Sequence, residues 1–297
     1  MNSPFFSIIV PTFNRAHLIT KTINSILQQH YKNYEIIIVD DGSTDNTLTV
    51  LQPFLNEKIK YLKKENAERA AARNYGTLHA KGDYINWFDS DDLMLPNHLE
   101  EAVKLIQQHN KPEILALSFI IATQHLTPIR KVVLSFNFCN DILYKENILA
   151  CNPVFVRKDI ALVFPFNENR MLSASEDYEL WLRLAAQFTI FTTPTITSTL
   201  IEHNERSVNI AAPKQKIIGR FETFLSLALS NKTIRNFLKN KQSNFIARNY
   251  LLIAVTLGVN GYKKNAFTYF LRALFTYPFI VVQRQFYVFI KVILLKK

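Results

Sequence analysis

The hydrophobic pattern of the first hundred residues switches period repeatedly, and this alternation constrains the fold more than any other feature. "FSIIV" (6–10), "YEIIIVD" (34–40), "KIKYLK" (58–63) and "DYINWFD" (83–89) are short apolar runs of strand length. "AHLITKTINSILQQ" (16–29) and "ERAAARNYGTLHA" (68–80) carry helical spacing instead. A helix running through Leu55 is expected to start at a Ser43 or Thr44 cap, and another follows Pro96 to about His109. Strand and helix alternating over short links build a parallel sheet covered on both faces. The predicted class is therefore α/β, with a mostly parallel, doubly wound sheet and flanking helices.

Such sheets bind ligands beyond the carboxyl ends of their strands, and the acids of this chain gather there. Asp40 and Asp41 end the second strand; Asp89, Asp91 and Asp92 follow the fourth in "YINWFDSDD". Carboxylates this close repel, and each loses solvation at the edge of a core. They either point into water or share a cation, and hard oxygen donors suit Mg²⁺ or Mn²⁺. Only six glycines are present, with no Walker loop and no G-x-G-x-x-G, so a bound phosphate would need a metal or an arginine.

From about 113 to 212 the pattern loosens into short strands, "EILALSFII", "IRKVVLSF", "NPVFVRKD", "FTIFTT" and "TITSTLIEH", around one clear helix, "SEDYELWLRLAAQ" (175–187). Beyond Pro213 everything reads as helix. Charge changes at the same place. Residues 1–212 hold 20 Lys/Arg and 23 Asp/Glu, whereas 213–297 hold 15 Lys/Arg against the single acid Glu222, a balance of +14. The expected organisation is a catalytic domain over 1–212, in halves 1–112 and 113–212, and a basic helical region over 213–297. Two cysteines, Cys139 and Cys151, argue against a disulfide framework and fit a reducing, cytoplasmic location. The N-terminus lacks the form of a signal peptide, and no apolar run reaches the length of a spanning helix.

Six segments, "SIIVPTFNR", "IIIVDDGSTDNT", "ERAAARNYG", "KGDYINWFDSDD", "SEDYELWLRLA" and "IEHNERSVN", stand in an order and spacing that resembles inverting family 2 glycosyltransferases of GT-A fold. The likeness covers roughly residues 5–210. It implies a nucleotide-sugar site in which Pro11 and Thr12 wall the base and Asp41, beside Asp40, accepts the uracil imide N–H. It puts Arg69 near base and phosphates, and Asp89 with Ser90 against ribose or sugar. Asp91 is implied as ligand of a Mn²⁺ or Mg²⁺ ion on the diphosphate, with His203 close to that metal. Asp177 corresponds to the general base and Glu176, next to it, to a nucleotide-sugar contact; Arg73 and Asn74 belong to a signature of structural character. Two departures stand out: Glu68 occupies a position where relatives commonly carry glycine, and Leu200-Ile201-Glu202 replaces a stretch often containing an aromatic residue and an arginine.

The resemblance implies a metal-dependent, inverting transferase moving sugar from a UDP-sugar to a hydroxyl of a glycan or lipid-linked acceptor, in surface polysaccharide synthesis. Taken alone, Asp40-Asp41 equally suit a strand-ending turn, Glu176-Asp177 a helix's first turn, and His203 a surface position. Two other classes fit parts of the pattern: a non-catalytic sugar-nucleotide binder and a Mg²⁺-dependent phospho-acceptor signalling domain. For the basic region the readings are a packed helical cap or attachment to an anionic membrane surface at the inner face; no nucleic-acid motif accompanies the charge.

Overall fold

The structure is a computed structural model describing residues 3–203 and 213–295. Its described residues divide into two compact units. The first comprises 3–140, 148–170 and 188–203, and the second 141–147, 171–187 and 213–295.

The first unit is built on one sheet. Its strands are β1 (Phe6–Thr12), β2 (Tyr34–Asp40), β3 (Ile59–Lys63), β4 (Tyr84–Trp87), β5 (Leu93–Met94), β6 (Ile114–Thr123), β7 (Pro128–Val132), β8 (Val154–Arg157) and β9 (Ile190–Glu202). They lie in the order β3-β2-β1-β4-β8-β6-β9-β5, with β7 on β6. The first four strands, β1 to β4, are parallel, as their alternation with helices predicts. Antiparallel pairing enters through β8, which lies between β4 and β6, and through β5 and β7 at the other side.

Both faces are covered. Phe6, Ile8 and Val10 of β1 and Ile36 and Ile38 of β2 point one way. They pack with Ile19, Ile23 and Ile26 of α1 (Ala16–Leu27) and with Leu99 and Ala102 of a helix at His98–Gln108. Alternate residues Ile9 and Val39 point the other way, onto the helix at Glu68–His79. There a Cβ on Gly76 would come within 2.5 Å of Ile9 and 3.0 Å of Val39. A side chain at Gly76 would push that helix off the sheet.

Counting in chain order, α2 is Thr47–Leu51, α3 Glu68–His79, α4 His98–Gln108, α5 Asn140–Leu143 and α6 Lys158–Val163. The start of α2 corrects an expectation. It begins at Thr47, and neither Ser43 nor Thr44 caps it. Ser43 instead accepts the Asn14 N–H at 2.9 Å, while Asp45 accepts the N–H of Thr47 at 3.0 Å and that of Ala16 at 3.1 Å. One aspartate thus satisfies orphan donors at the starts of two helices, which explains why a serine two residues earlier is free for other work.

The second unit is helical: α7 (Glu176–Ala185), α8 (Lys214–Ser230), α9 (Lys232–Leu238), α10 (Gln242–Val259), α11 (Lys263–Thr276) and α12 (Arg284–Leu295). Its core gathers Phe221, Leu251, Ala254, Leu257, Tyr269 and Phe289. The helix α7 is grouped with these C-terminal helices across a sequence gap, although its period alone aligns it with the strands before and after it.

Candidate active site

The turn after β2 closes with acids that have defined partners. Asp40 is buried; its Oδ1 accepts Ser43 N–H at 2.7 Å and its Oδ2 accepts the Tyr61 hydroxyl. Burial, and then this bond, push the Tyr61 phenol far above its ordinary range. Asp41 donates its N–H to the Thr12 carbonyl at 2.9 Å, and its Oδ1 accepts Lys64 Nζ at 2.8 Å and Ala67 N–H at 3.0 Å. Gly42 makes the turn at φ +86°, where an L side chain is strained. Pro11 and Thr12 are buried in β1 opposite Val39 and Asp40. The Thr12 Oγ1 has no partner among the described residues, an orphaned polar atom beside Asp41.

Helix α3 opens beside this turn. Glu68 adopts φ +74°, the left-handed region that glycine tolerates and a glutamate resists. The departure noted at this position therefore has a backbone cost. Arg69 follows, half-buried in the first turn. Arg73 is almost fully buried, stands over the Phe166 ring and reaches Asp89 Oδ1 at 2.7 Å. Asn74 clamps the backbone of Phe166 from both sides, its Oδ1 accepting the N–H and its Nδ2 donating to the carbonyl, each at 2.9 Å.

After β4 the three acids part company. Asp92 is fully buried and both its oxygens are committed: Oδ1 to Ile201 N–H at 2.7 Å, Oδ2 to Asn152 Nδ2 at 2.7 Å. Asn152 uses its Oδ1 to hold the Asp89 N–H at 2.8 Å. Asp91 is half-buried, and its Oδ2 lies 2.9 Å from Nε2 of His203, a residue 112 positions later that closes β9. Ser90 is buried between these acids in sequence. Single ligand atoms of Asp89, Asp91 and Asp92 come within 4.8 Å of one another.

These donors fit a divalent cation, with one qualification of chemistry. Asp92 is an internal strut, and Asp89 already faces a guanidinium. Asp91 Oδ2 and His203 Nε2 face each other at 2.9 Å, and a carboxylate with an imidazole suits Mn²⁺ better than Mg²⁺, which takes oxygen ligands. Asn152 was not among the expected site residues. Its role depends on two contacts about 60 residues away in sequence, and "CNPVFV" carries no local sign of them.

In the second unit, Glu176 and Asp177 begin α7. Glu176 is buried and accepts the Ser175 N–H at 3.1 Å, while Asp177 is half-buried and accepts the Tyr178 N–H at 2.6 Å. Both acids satisfy first-turn donors, where negative charge is stabilised. The segment 204–209 of "IEHNERSVN" lies outside the described residues.

The pattern of glycosyl transferase family 2 matches residues 7–140. Over 91% of its length this chain is 29% identical to 98% of the Escherichia coli protein UDP-Glc:alpha-D-GlcNAc-diphosphoundecaprenol beta-1,3-glucosyltransferase WfgD. It carries a family 2 glycosyltransferase domain. The chain also spans 31 to 35% of several longer Rickettsia proteins named as uncharacterized glycosyltransferases. Its fold matches S. aureus TarS 1–349 in complex with UDP-GlcNAc at a TM-score of 0.66 and 16% identity, covering 91% of this chain and 89% of that one. It also matches the mannosyltransferase PcManGT from Pyrobaculum calidifontis, in complex with GDP-Man and Mn²⁺, at 0.63 and 17%, covering 100% and 89%. These likenesses show a GT-A fold.

Proposed function

We propose that this glycosyltransferase moves a sugar, with inversion, from a UDP-sugar to a hydroxyl of a glycan or lipid-linked acceptor in surface polysaccharide synthesis. The observation that carries the reading is the meeting of Asp91 and His203 at 2.9 Å, beyond the carboxyl ends of the parallel strands. WfgD's name, with its UDP-Glc donor and diphosphoundecaprenol acceptor, supports the substrate classes. The Mn²⁺ beside GDP-Man in PcManGT supports the metal.

Asp91 and His203 would hold the cation, which when bound supplies Lewis-acid stabilisation of a departing diphosphate. Asp41 accepts the base N–H, with the orphaned Thr12 hydroxyl beside it and Pro11 behind. Asp89, oriented by Arg73 and Asn152, and Ser90 contact ribose or sugar, and Arg69 offers a cation to the phosphates. Asp177 takes the proton of the attacking hydroxyl, which enters opposite the leaving group. Release of free UDP on addition of acceptor tests the reading; UDP binding without any turnover would favour the sugar-nucleotide binder.

The basic region is proposed to face an anionic membrane surface at the cytoplasmic side. No helix among the described residues is long and apolar enough to cross a membrane. Phe275, Phe279 and Val282, at 82%, 67% and 72% exposure, crowd the connection between α11 and α12, flanked by Arg272 and Arg284. Shallow insertion of apolar tips beside cations is how peripheral proteins dock. Co-sedimentation with anionic but not neutral liposomes, reduced by Phe275→Ser with Phe279→Ser, is the expected result.

A further inference from the structure

The two oxygens of Asp41 are not equivalent. Its Oδ1 accepts Lys64 Nζ at 2.8 Å and the Ala67 N–H at 3.0 Å. Two donors fill the lone pairs of one carboxylate oxygen. Oδ2 takes no hydrogen bond from any described residue, so a single acceptor is left for a ligand. Lys64 stands the other way round. An ammonium carries three N–H groups; Asp41 takes one and the Glu65 carbonyl, at 2.5 Å, takes another. The third has no partner among the described residues. One ion pair thus offers an open acceptor and an open donor next to each other.

The backbone holds this pair in place. The Lys64 N–H donates to the Asp40 carbonyl at 2.9 Å, and the Asn66 side-chain amide donates to the Asp41 carbonyl at 3.0 Å. A Cβ on Gly42 would come within 3.1 Å of the Asn66 nitrogen and 3.4 Å of the Lys64 carbonyl oxygen. The turn after β2 and the segment after β3 are therefore packed backbone to backbone. The side chains of Lys64 and Asp41 keep only 17% and 5% exposure, so solvent screens them less than a surface pair.

Nucleotide bases differ in what they present to such an edge. Uracil has one N–H between two carbonyl oxygens: the N–H suits Asp41 Oδ2, and a neighbouring oxygen suits Lys64 Nζ. Cytosine reverses both groups, setting a bare ring nitrogen toward the carboxylate and an amino group toward the ammonium. Guanine can match the pair with its ring N–H and carbonyl, but its amino group then meets an Oδ1 that is already filled. A donor left unmatched in a buried site weakens binding. We infer that Lys64 is a specificity-determining residue that selects uracil, by leaving Asp41 one open oxygen and by donating its remaining N–H to a base carbonyl. The inference rests on the UDP-sugar reading above and adds to it the residue that chooses the base.

The test titrates the full chain calorimetrically, with Mn²⁺ present, against UDP, CDP and GDP. The unaltered chain should bind UDP at least tenfold more tightly than the other two. Lys64→Met keeps the stem and removes the donors. It should weaken UDP about tenfold and change CDP and GDP less than twofold, so the preference collapses. Lys64→Arg restores charge and donors and should hold UDP affinity within about threefold. Either 2-thio-UDP or 4-thio-UDP, in which sulfur replaces one carbonyl oxygen, should bind the unaltered chain more weakly than UDP but bind Lys64→Met equally well. Equal loss of all three nucleotides in Lys64→Met overturns the inference, because Lys64 would then support the turn or touch phosphate. Tighter binding of CDP or GDP by the unaltered chain overturns it too. UDP selectivity that survives in Lys64→Met overturns this inference alone, whereas no nucleotide binding by the unaltered chain sinks the UDP-sugar reading along with it.

Discussion

Arg73, buried in α3, holds Asp89 at 2.7 Å across sixteen residues of sequence. The guanidinium is nearly inaccessible while the carboxylate keeps 23% side-chain exposure, so one partner is structural and the other stays partly open to solvent. Removing Arg73 leaves Asp89 without its neutralising charge and empties the space over Phe166. Arg73→Met is expected to lower stability by about 3 kcal/mol, the scale of breaking a buried pair from one side. Arg73→Lys should recover only part of this, since an ammonium cannot stack on the ring and reach Asp89 together. Urea unfolding of the three proteins checks both statements.

Asp91→Asn should abolish Mn²⁺-dependent UDP binding and leave the fold intact. The side chain keeps 15% exposure and lies 2.9 Å from His203 Nε2, and asparagine preserves its shape, so little packing is lost. Calorimetry with and without Mn²⁺ decides it. Unchanged metal-dependent affinity in the variant would move the metal away from Asp91.

Asp177→Asn should lower kcat by on the order of 10²–10⁴-fold with donor affinity nearly unchanged, because a base acts in the transition state rather than in donor binding. An asparagine Oδ1 can still accept the Tyr178 N–H, so α7 should keep its start. Near-normal turnover would shift the role to another group, with Glu176 the first to examine.

Glu68→Gly should stabilise the protein by about 0.5–1 kcal/mol. The left-handed backbone at φ +74° costs a glutamate about 1–2 kcal/mol, partly offset by the larger freedom glycine loses on folding. The urea midpoint should rise with an unchanged slope. A fall would mean that the Glu68 side chain contributes more than its backbone costs.

His98 gives the fold an acid sensitivity with a definite sign. It is fully buried against Phe88 and Phe155, with Nδ1 2.8 Å from Thr197 Oγ1. Burial pushes its imidazole down from 6.5 to about 3. The folded protein keeps it neutral while the unfolded chain takes up a proton below about pH 6.5. This contribution is complete above pH 6.5 and is lost as pH falls toward 3, by up to about 1.4 kcal/mol per pH unit. Unfolding at pH 7.5 and pH 5 should show a smaller loss in His98→Gln than in the unaltered chain. Equal losses would assign the sensitivity to other groups.

Local pattern made the elements legible. Period-two and period-3.6 runs depend on neighbours a few residues apart, so β1 to β4 and the long helices could be read along the chain, as could the gathering of Asp40, Asp41, Asp89, Asp91 and Asp92 at strand ends. Where the pattern was interrupted, reading along the chain failed. "FTIFTT" and "TITSTLIEH" read as two strands around Pro194, yet β9 runs unbroken from Ile190 to Glu202 because its register against β6 shifts nearby and tolerates the proline. Two-residue β5 was too short to have a period at all. Which partner each acid takes was settled only in three dimensions. Asp92 became a strut because Asn152 and Ile201 reach it from 60 and 109 residues away, Asp89 was paired by Arg73, and Asp91 was left facing His203. Periodicity fixes how a segment buries its own side chains, whereas a carboxylate's partner depends on which distant strands the packed sheet brings alongside it.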